Sequence, residues 1–358
     1  MPATGTVPSA FPVARPRSLS GPAAADGAKR GAPLTVFIIR RLMQSLLVLA
    51  AMTVIVFVGV YAIGNPIDIL IAPDATQEER ARAIASLGLD RPLWEQYAVY
   101  IGNMLQGDLG KSFVFNEPAL QLVLQRLPAT LELAVAAMLI AICIGIPLGL
   151  WAGLEPESIA GRSIMAGSIL GFSLPNFWQG LMLIMIFAVF LGWLPAGGRG
   201  DPGTFLGMES TLFSVDGWSH LILPATNLAL FKTSLVIRLT RAGVRETLPL
   251  DYVRFARAKG LSRRRVIFVH VLRNILIPLV TILGLELGTV IAFAVVTETI
   301  FAWPGIGKLI IDSIFLLDRP VIVAYLIVIV LMFITINLIV DVLYSILDPR
   351  VRLADLEG

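Results

Sequence analysis

Few side chains in this sequence have the chemistry to react, ligate or carry charge, and their spacing sorts them. The one cysteine, Cys143, stands in an apolar stretch with no second thiol, so no disulfide and no thiolate metal site can form within the chain. His220 and His270 lie far apart and do not by themselves make a metal site. Gly110-Lys111-Ser112 has the ending of a phosphate-binding loop. That loop requires a glycine five residues before the Gly-Lys pair, where Leu105 stands. No HExxH, GxSxG or GxGD-like pattern occurs, so no catalytic residue and no metal ligand is assigned. What remains is charge in two settings. Glu132, Lys232, Glu286 and Asp341 interrupt or border apolar runs, and a basic stretch occupies residues 238–274.

The elements that must position these groups are set by hydropathy. Of 358 residues, 56% are apolar and only 15% charged, with a mean hydropathy of +0.82. Soluble domains carry about 25% charged residues, so a cytosolic enzyme is excluded. Residues 42–67, 133–154, 163–198 and 320–340 hold no charge at all. A helix needs about 20 apolar residues to cross a bilayer. The pattern predicts an all-α polytopic membrane protein with six spans at about 36–63, 128–153, 163–191, 221–239, 275–296 and 321–346. Six spans put both termini on one side. Nineteen Lys and Arg fall on that side and eight on the other, which places both termini in the cytoplasm.

Residues 1–33 are rich in Pro, Ala, Gly and Ser and read as a disordered cytoplasmic extension. A signal peptide is the competing reading, but the apolar run that follows exceeds the 7–15 residues of such a peptide's core. Residues 34–127 hold the first span and a small outer helical cap. Thr76-Gln77-Glu78-Glu79 has the capping-box form for a helix that Gly88 can close. Asp90-Arg91-Pro92 opens a second helix with Leu93, Tyr97, Tyr100, Ile101 and Met104 on one face, and Asn116 with Pro118 a third. Residues 128–352 form a five-helix core that includes a cytoplasmic loop, 240–274, and residues 353–358 are a cytoplasmic tail.

The basic stretch 238–274 carries ten Lys or Arg against Glu246 and Asp251. Residues 251–259 read as a short helix, Gly260 as its stop and Ser262 as the cap of the next helix. Such an elbow can dock in a protein groove, although composition alone favours a basic surface held near anionic membrane lipid. Within the spans, Glu132 and Lys232 are near enough to the boundaries to snorkel, and Asp341 is placed to pair with a neighbour. Glu286 stands mid-span. Gly284 and Gly288 form a close-approach seam, and Glu286 points away from it, either to another helix or into a central translocation path. Gly145, Gly149 and Gly153 form a second packing seam.

Tyr252, Val253, Arg254, Phe255, Ala256, Arg257, Ala258, Lys259, Gly260, Leu261 and Ser262, followed by His270-Val271-Leu272-Arg273-Asn274, resemble the cytoplasmic coupling loop of ABC-importer permeases. More narrowly, they resemble the dipeptide/oligopeptide/nickel permeases. The order of other segments agrees: Leu87-Gly88-Leu89-Asp90-Arg91-Pro92, Gly107-Asp108-Leu109-Gly110-Lys111-Ser112, Leu127-Pro128-Ala129-Thr130-Leu131-Glu132-Leu133, His220-Leu221-Ile222-Leu223-Pro224, residues 297–307 and Leu347-Asp348-Pro349-Arg350. One departure stands out. Aligned on Gly260, the Glu-Ala-Ala of the general importer pattern is Arg254-Phe255-Ala256 here.

The resemblance implies a type I importer permease fold in the bacterial inner membrane. It implies a homologous second permease, two ATPase subunits seated on the coupling loop and an extracytoplasmic substrate-binding protein. No cofactor is expected in this chain, and ATP and Mg would be bound by the ATPases. No nucleic acid is expected as a partner. Di- or oligopeptides are the implied cargo, with glutathione, nickel chelates or oligosaccharides as alternatives. A stand-alone secondary transporter would need internal repeats, which the sequence lacks, and an intramembrane enzyme would need paired catalytic groups at one depth.

Overall fold

The computed structural model describes residues 34–62, 76–86, 90–205 and 207–347. The extension 1–33, Gly88 and its neighbours, the segment Leu347-Asp348-Pro349-Arg350 beyond its first residue, and the tail 353–358 lie outside the described residues.

Helix α1 (Leu34–Ala62) carries no charge beyond Arg40 and Arg41, and its side chains over 39–59 are mostly exposed, as those of a helix facing lipid or another protein must be. Two short helices follow, α2 (Gln77–Ser86) and α3 (Leu93–Leu105). The expected capping box starts α2: the Glu79 amide donates to Thr76 Oγ1 at 3.3 Å, and the Thr76 amide to Glu79 Oε2 at 2.9 Å. The stripe on α3 packs against α1, with Tyr97 and Tyr100 beside Phe57, a hydroxyl bond between Thr53 and Tyr97 at 2.9 Å, and Met104 against the Val56, Val323 and Ile327 cluster.

The expected third outer helix is instead the start of α4 (Ala119–Leu154), which runs unbroken through Pro128 and Pro147. The second span is therefore longer than its apolar window. Gly145, Gly149 and Gly153 line one face of α4 and meet Val236, Thr240 and Val244 of α7 (Val215–Thr247). An added Cβ would lie 2.6–2.7 Å from each partner's Cβ, so the two helices run parallel at a spacing only glycine permits. Gly284 and Gly288 make a second close seam between α9 (Arg263–Ile300) and α11 (Arg319–Leu347), which run antiparallel: an added Cβ would lie 2.5 Å from Val340 Cγ2 and 2.9 Å from Phe333 Cε1.

The third span is not one helix, contrary to expectation. Helices α5 (Ile159–Ser173) and α6 (Asn176–Phe190) meet at a bend of 106°. Pro175 has no N–H and forces Leu174 to extended geometry (φ −80°, ψ 137°). Gln179 Nε2 then satisfies the freed carbonyls of Gly171 and Leu174 at 2.9 and 3.0 Å. Among the described residues, five helices are long and apolar enough to cross a membrane, and six if the bent pair counts as one. A hairpin of β1 (Gly203–Phe205) and β2 (Met208–Ser210), unforeseen, fills the connection to α7.

Between the last spans lies α8 (Asp251–Ala258) before α9, and α10 (Ile306–Phe315) between α9 and α11. The main core is shared by α4, α7, α9, α10 and α11. A satellite cluster of Leu150, Val244, Val253, Ala256, Val266, Val271 and Ile275 anchors α8 at one end.

Candidate coupling elbow and intramembrane polar sites

α8 is amphipathic and its two faces differ sharply. Val253 and Ala256 are buried in the satellite cluster. Tyr252, Arg254, Phe255, Arg257, Ala258 and Lys259 are exposed; Phe255 is 61% exposed, with Lys259 Nζ 4.5 Å from its ring centre. The end of α8 is a Schellman turn: the Leu261 amide donates to the Ala256 carbonyl at 3.3 Å and the Gly260 amide to that of Arg257 at 2.9 Å. Gly260 sits at φ +77° with nothing within 4 Å of an added Cβ, so it is required for conformation and not for space. Ser262 Oγ then accepts from the Arg265 amide at 3.4 Å, starting α9. Ala256, which the resemblance includes in the coupling loop, therefore faces inward and fixes α8 to the rest of the chain.

Within the spans, charge is paired. Lys232, expected to snorkel, is instead buried and donates to Glu286 Oε2 and to Thr289 Oγ1, the latter at 2.8 Å. Glu286 thus has a helix partner on one side, while its side chain keeps 26% exposure on the other. Glu132 does not snorkel either: Arg199 binds both its oxygens at 3.0 and 2.9 Å, and Thr211 Oγ1 donates to it. Asp341 pairs with Arg41 at 2.9 Å, joining α11 to α1. Ser112, in the segment that mimics a phosphate loop, donates to the buried carboxylate of Asp318, which also accepts from the Phe113 amide at 3.1 Å.

Sequence reasoning misses a second fully buried carboxylate. Glu298 has no exposure and stands near the end of α9. Thr130 Oγ1 donates to it at 2.6 Å and the Lys308 amide, in the first turn of α10, at 2.9 Å. The Ile306 amide donates to Thr130 Oγ1 at 2.9 Å, and Trp303 Nε1 to the Ala129 carbonyl at 2.9 Å. Gly305 and Gly307 lie so close to the carboxylate that a Cβ at either would collide with it. Glu298 therefore caps α10 from a different element and ties α4, α9 and α10 together. The signal that could reveal it is a glutamate ending an apolar run, followed by Trp303-Pro304-Gly305-Ile306-Gly307. Beside it, Asn227 Nδ2 donates to Asn176 Oδ1 at 2.8 Å and Thr297 Oγ1 at 3.0 Å, linking α7 to the start of α6 and to α9.

Among the described residues no three His, Cys, Asp or Glu gather as a metal site.

Comparison with known proteins agrees with this architecture. Residues 145–353 match the family described as binding-protein-dependent transport system inner membrane component, and residues 34–134 its N-terminal counterpart. The chain is 43% identical over 330 residues to the di/tripeptide transport system permease protein of Pseudomonas aeruginosa, covering 88% of this chain and 98% of that one. It is 41% identical to the oligopeptide transport system permease protein of Bacillus subtilis (89% and 100% covered) and 37% to the glutathione transport system permease protein of Escherichia coli (88% and 98%). Its fold is similar to a chain of the inward-facing MetNI methionine ABC transporter, with a TM-score of 0.50 at 17% identity over 65% of this chain and 99% of that one. The chain belongs to the family of inner-membrane components of binding-protein-dependent transport systems, as a multi-pass ABC-importer permease.

Proposed function

We propose that this permease imports di- or oligopeptides, forming the translocation path with a homologous second permease. The observation that carries the reading is the elbow at α8, together with the peptide permeases to which nearly the whole chain is similar. Its inner face is anchored by Val253 and Ala256, and its turn is fixed by Gly260. Its outer face presents Tyr252, Phe255 and Lys259, all exposed, with Lys259 over the Phe255 ring and the Tyr252 hydroxyl donating weakly to the His270 carbonyl. A rigid knob with an exposed aromatic tip suits a groove in another protein. Two cytoplasmic ATPases would seat there and bind ATP and Mg themselves. A substrate-binding protein would deliver cargo on the opposite side, where α2 and α3 lie. Closure of the ATPases on ATP would move the elbow, and the shared core of α4, α7 and α9 would carry that movement to the path.

The test is reconstitution of the full complex in proteoliposomes with a radiolabelled dipeptide. Uptake that requires ATP and the binding protein supports the reading. Uptake of glutathione or a nickel chelate in preference to any dipeptide would reassign the cargo, and uptake driven by an ion gradient without ATP would overturn the importer class. Orientation is tested with Cys143 replaced: a cysteine at position 95 should react with an impermeant thiol reagent in intact cells and one at 254 should not. The reverse result would invert the topology.

A further inference from the structure

Beside the paired charges of the spans, Arg238 stands apart. It lies on α7 about two turns beyond Lys232, has no carboxylate, carbonyl or hydroxyl partner among the described residues, and its Nε is buried without an acceptor. Its guanidinium carbon lies 4.5 Å from the centre of the Phe172 ring, and Phe172 stacks on Phe231 at 4.6 Å. Lys232 Nζ in turn stands 5.3 Å from the Phe231 ring. Two cations therefore flank one aromatic pair, yet only Lys232 is neutralised, by Glu286.

The direction of the Arg238 side chain decides between lipid and passage. An arginine near a span's end normally extends toward the nearer interface. Here the guanidinium lies back along α7, against Phe172 and so toward the level of Phe231, which is deeper in the span. That is away from the α8 end, where lipid phosphates would be. Helical side chains lean toward their N-terminus, and the Phe172 ring holds this one there. Phe172 and Phe231 are each 42% exposed, so this surface is open in the single chain. A guanidinium at that depth requires an anion or water, and it binds planar carboxylates through two parallel hydrogen bonds.

We propose that Arg238, braced by Phe172 and Phe231, is a carboxylate-binding point in the wall of the translocation path and takes the carboxylate of the cargo as it passes. This rests on the peptide reading above, because a free peptide carries such a group at its C terminus.

The experiment uses the complete complex in proteoliposomes with Cys143 replaced and Arg238→Cys introduced. Dipeptide uptake should fall about tenfold or more, the scale for losing a charged hydrogen bond, while ATPase co-purification is unchanged. Cationic aminoethyl methanethiosulfonate should restore uptake; the anionic sulfonatoethyl reagent should not. Equal rescue by both reagents, or wild-type uptake before any reagent, would overturn the site, and so would an introduced thiol that never reacts in the assembled complex. If Arg238→Cys fails to assemble, Arg238→Met keeps the aliphatic packing on Phe172 and should show the same loss of uptake; wild-type uptake there overturns the site. A defect that appears only in vesicles containing anionic lipid would assign Arg238 to a lipid headgroup instead. A wild-type complex that transports no dipeptide would overturn the peptide reading, which is distinguishable from a variant that transports normally.

Discussion

Two glycine-dependent regions of this permease use the residue for opposite reasons. Around Glu298, Gly305 and Gly307 leave room for a fully buried carboxylate whose hydrogen bonds come from α4 and α10. At the elbow, Gly260 has open space on all sides and is needed for its positive φ alone. The first region is closed on itself, with its polar groups satisfied inside the chain. The second shows aromatic and basic groups to the outside with few internal partners. A buried node that is complete can only position other elements, whereas an exposed knob held rigidly is built to be met by something else.

If that contrast is right, substitutions in the two regions should separate folding from coupling. The largest effect is expected at Glu298→Ala, which strands the Thr130 hydroxyl and the Lys308 amide in the core. Each buried group left unsatisfied costs about 1–3 kcal/mol, so the amount of folded permease in detergent and its melting temperature should both fall. A variant that melts like wild type would show that the node is dispensable. Next is Gly149→Val, which forces a side chain into Thr240 and the Ile237 carbonyl. Overpacking of this kind costs about 1–3 kcal/mol. A lowered melting temperature with unaltered ATPase affinity of the surviving complex would place it with the scaffold.

Glu286→Gln is expected to act on both sides of the contrast. It leaves buried Lys232 without its counter-charge, so assembly should drop, and Lys232→Met in the same chain should restore most of it. If assembly stays normal and uptake of cationic peptides falls more than that of neutral ones, Glu286 belongs to the path and not to the scaffold. The smallest effect is expected at α2. Hydrogen bonds from the Thr76 amide and hydroxyl hold the Glu79 carboxyl below its ordinary range. Its contribution is therefore present above that range and lost as pH falls through the lowered value. Protection of the α2 amides, relative to their intrinsic exchange rates, should fall on acidification to below about pH 4, and Thr76→Ala, which removes the hydroxyl but keeps the backbone amide, should weaken that pH dependence.

Much of this fold can be read from hydropathy, because a bilayer imposes length and apolarity on every span. The seams at Gly145, Gly149 and Gly153 and at Gly284 and Gly288 are visible from spacing alone, as is the helix–Gly–helix form of the elbow. Long-range polar pairing is not. Lys232 and Glu286 read as isolated charges in a one-dimensional pattern, and only the packing of α7 on α9 shows that they compensate each other. Glu298 escapes for the same reason: its donors come from a residue on α4, far earlier in the chain, and from a turn that follows it. The break in the third span is masked by an uninterrupted apolar run, although Pro175 with Gln179 four residues on marks it chemically. That Ala256 faces inward is likewise not legible, because a short amphipathic helix does not say which face is covered until the satellite cluster is known.

The most direct test of the coupling role is Phe255→Asp, made on the exposed face of α8, where the side chain is mostly open and its ring meets Lys259. ATPase co-purification and cargo-stimulated ATP hydrolysis would be measured on the complete complex, alongside the permease melting temperature. An unchanged melting temperature with loss of ATPase retention or of stimulation is the expected result. Wild-type retention and stimulation would contradict it and return the elbow to a basic surface against lipid.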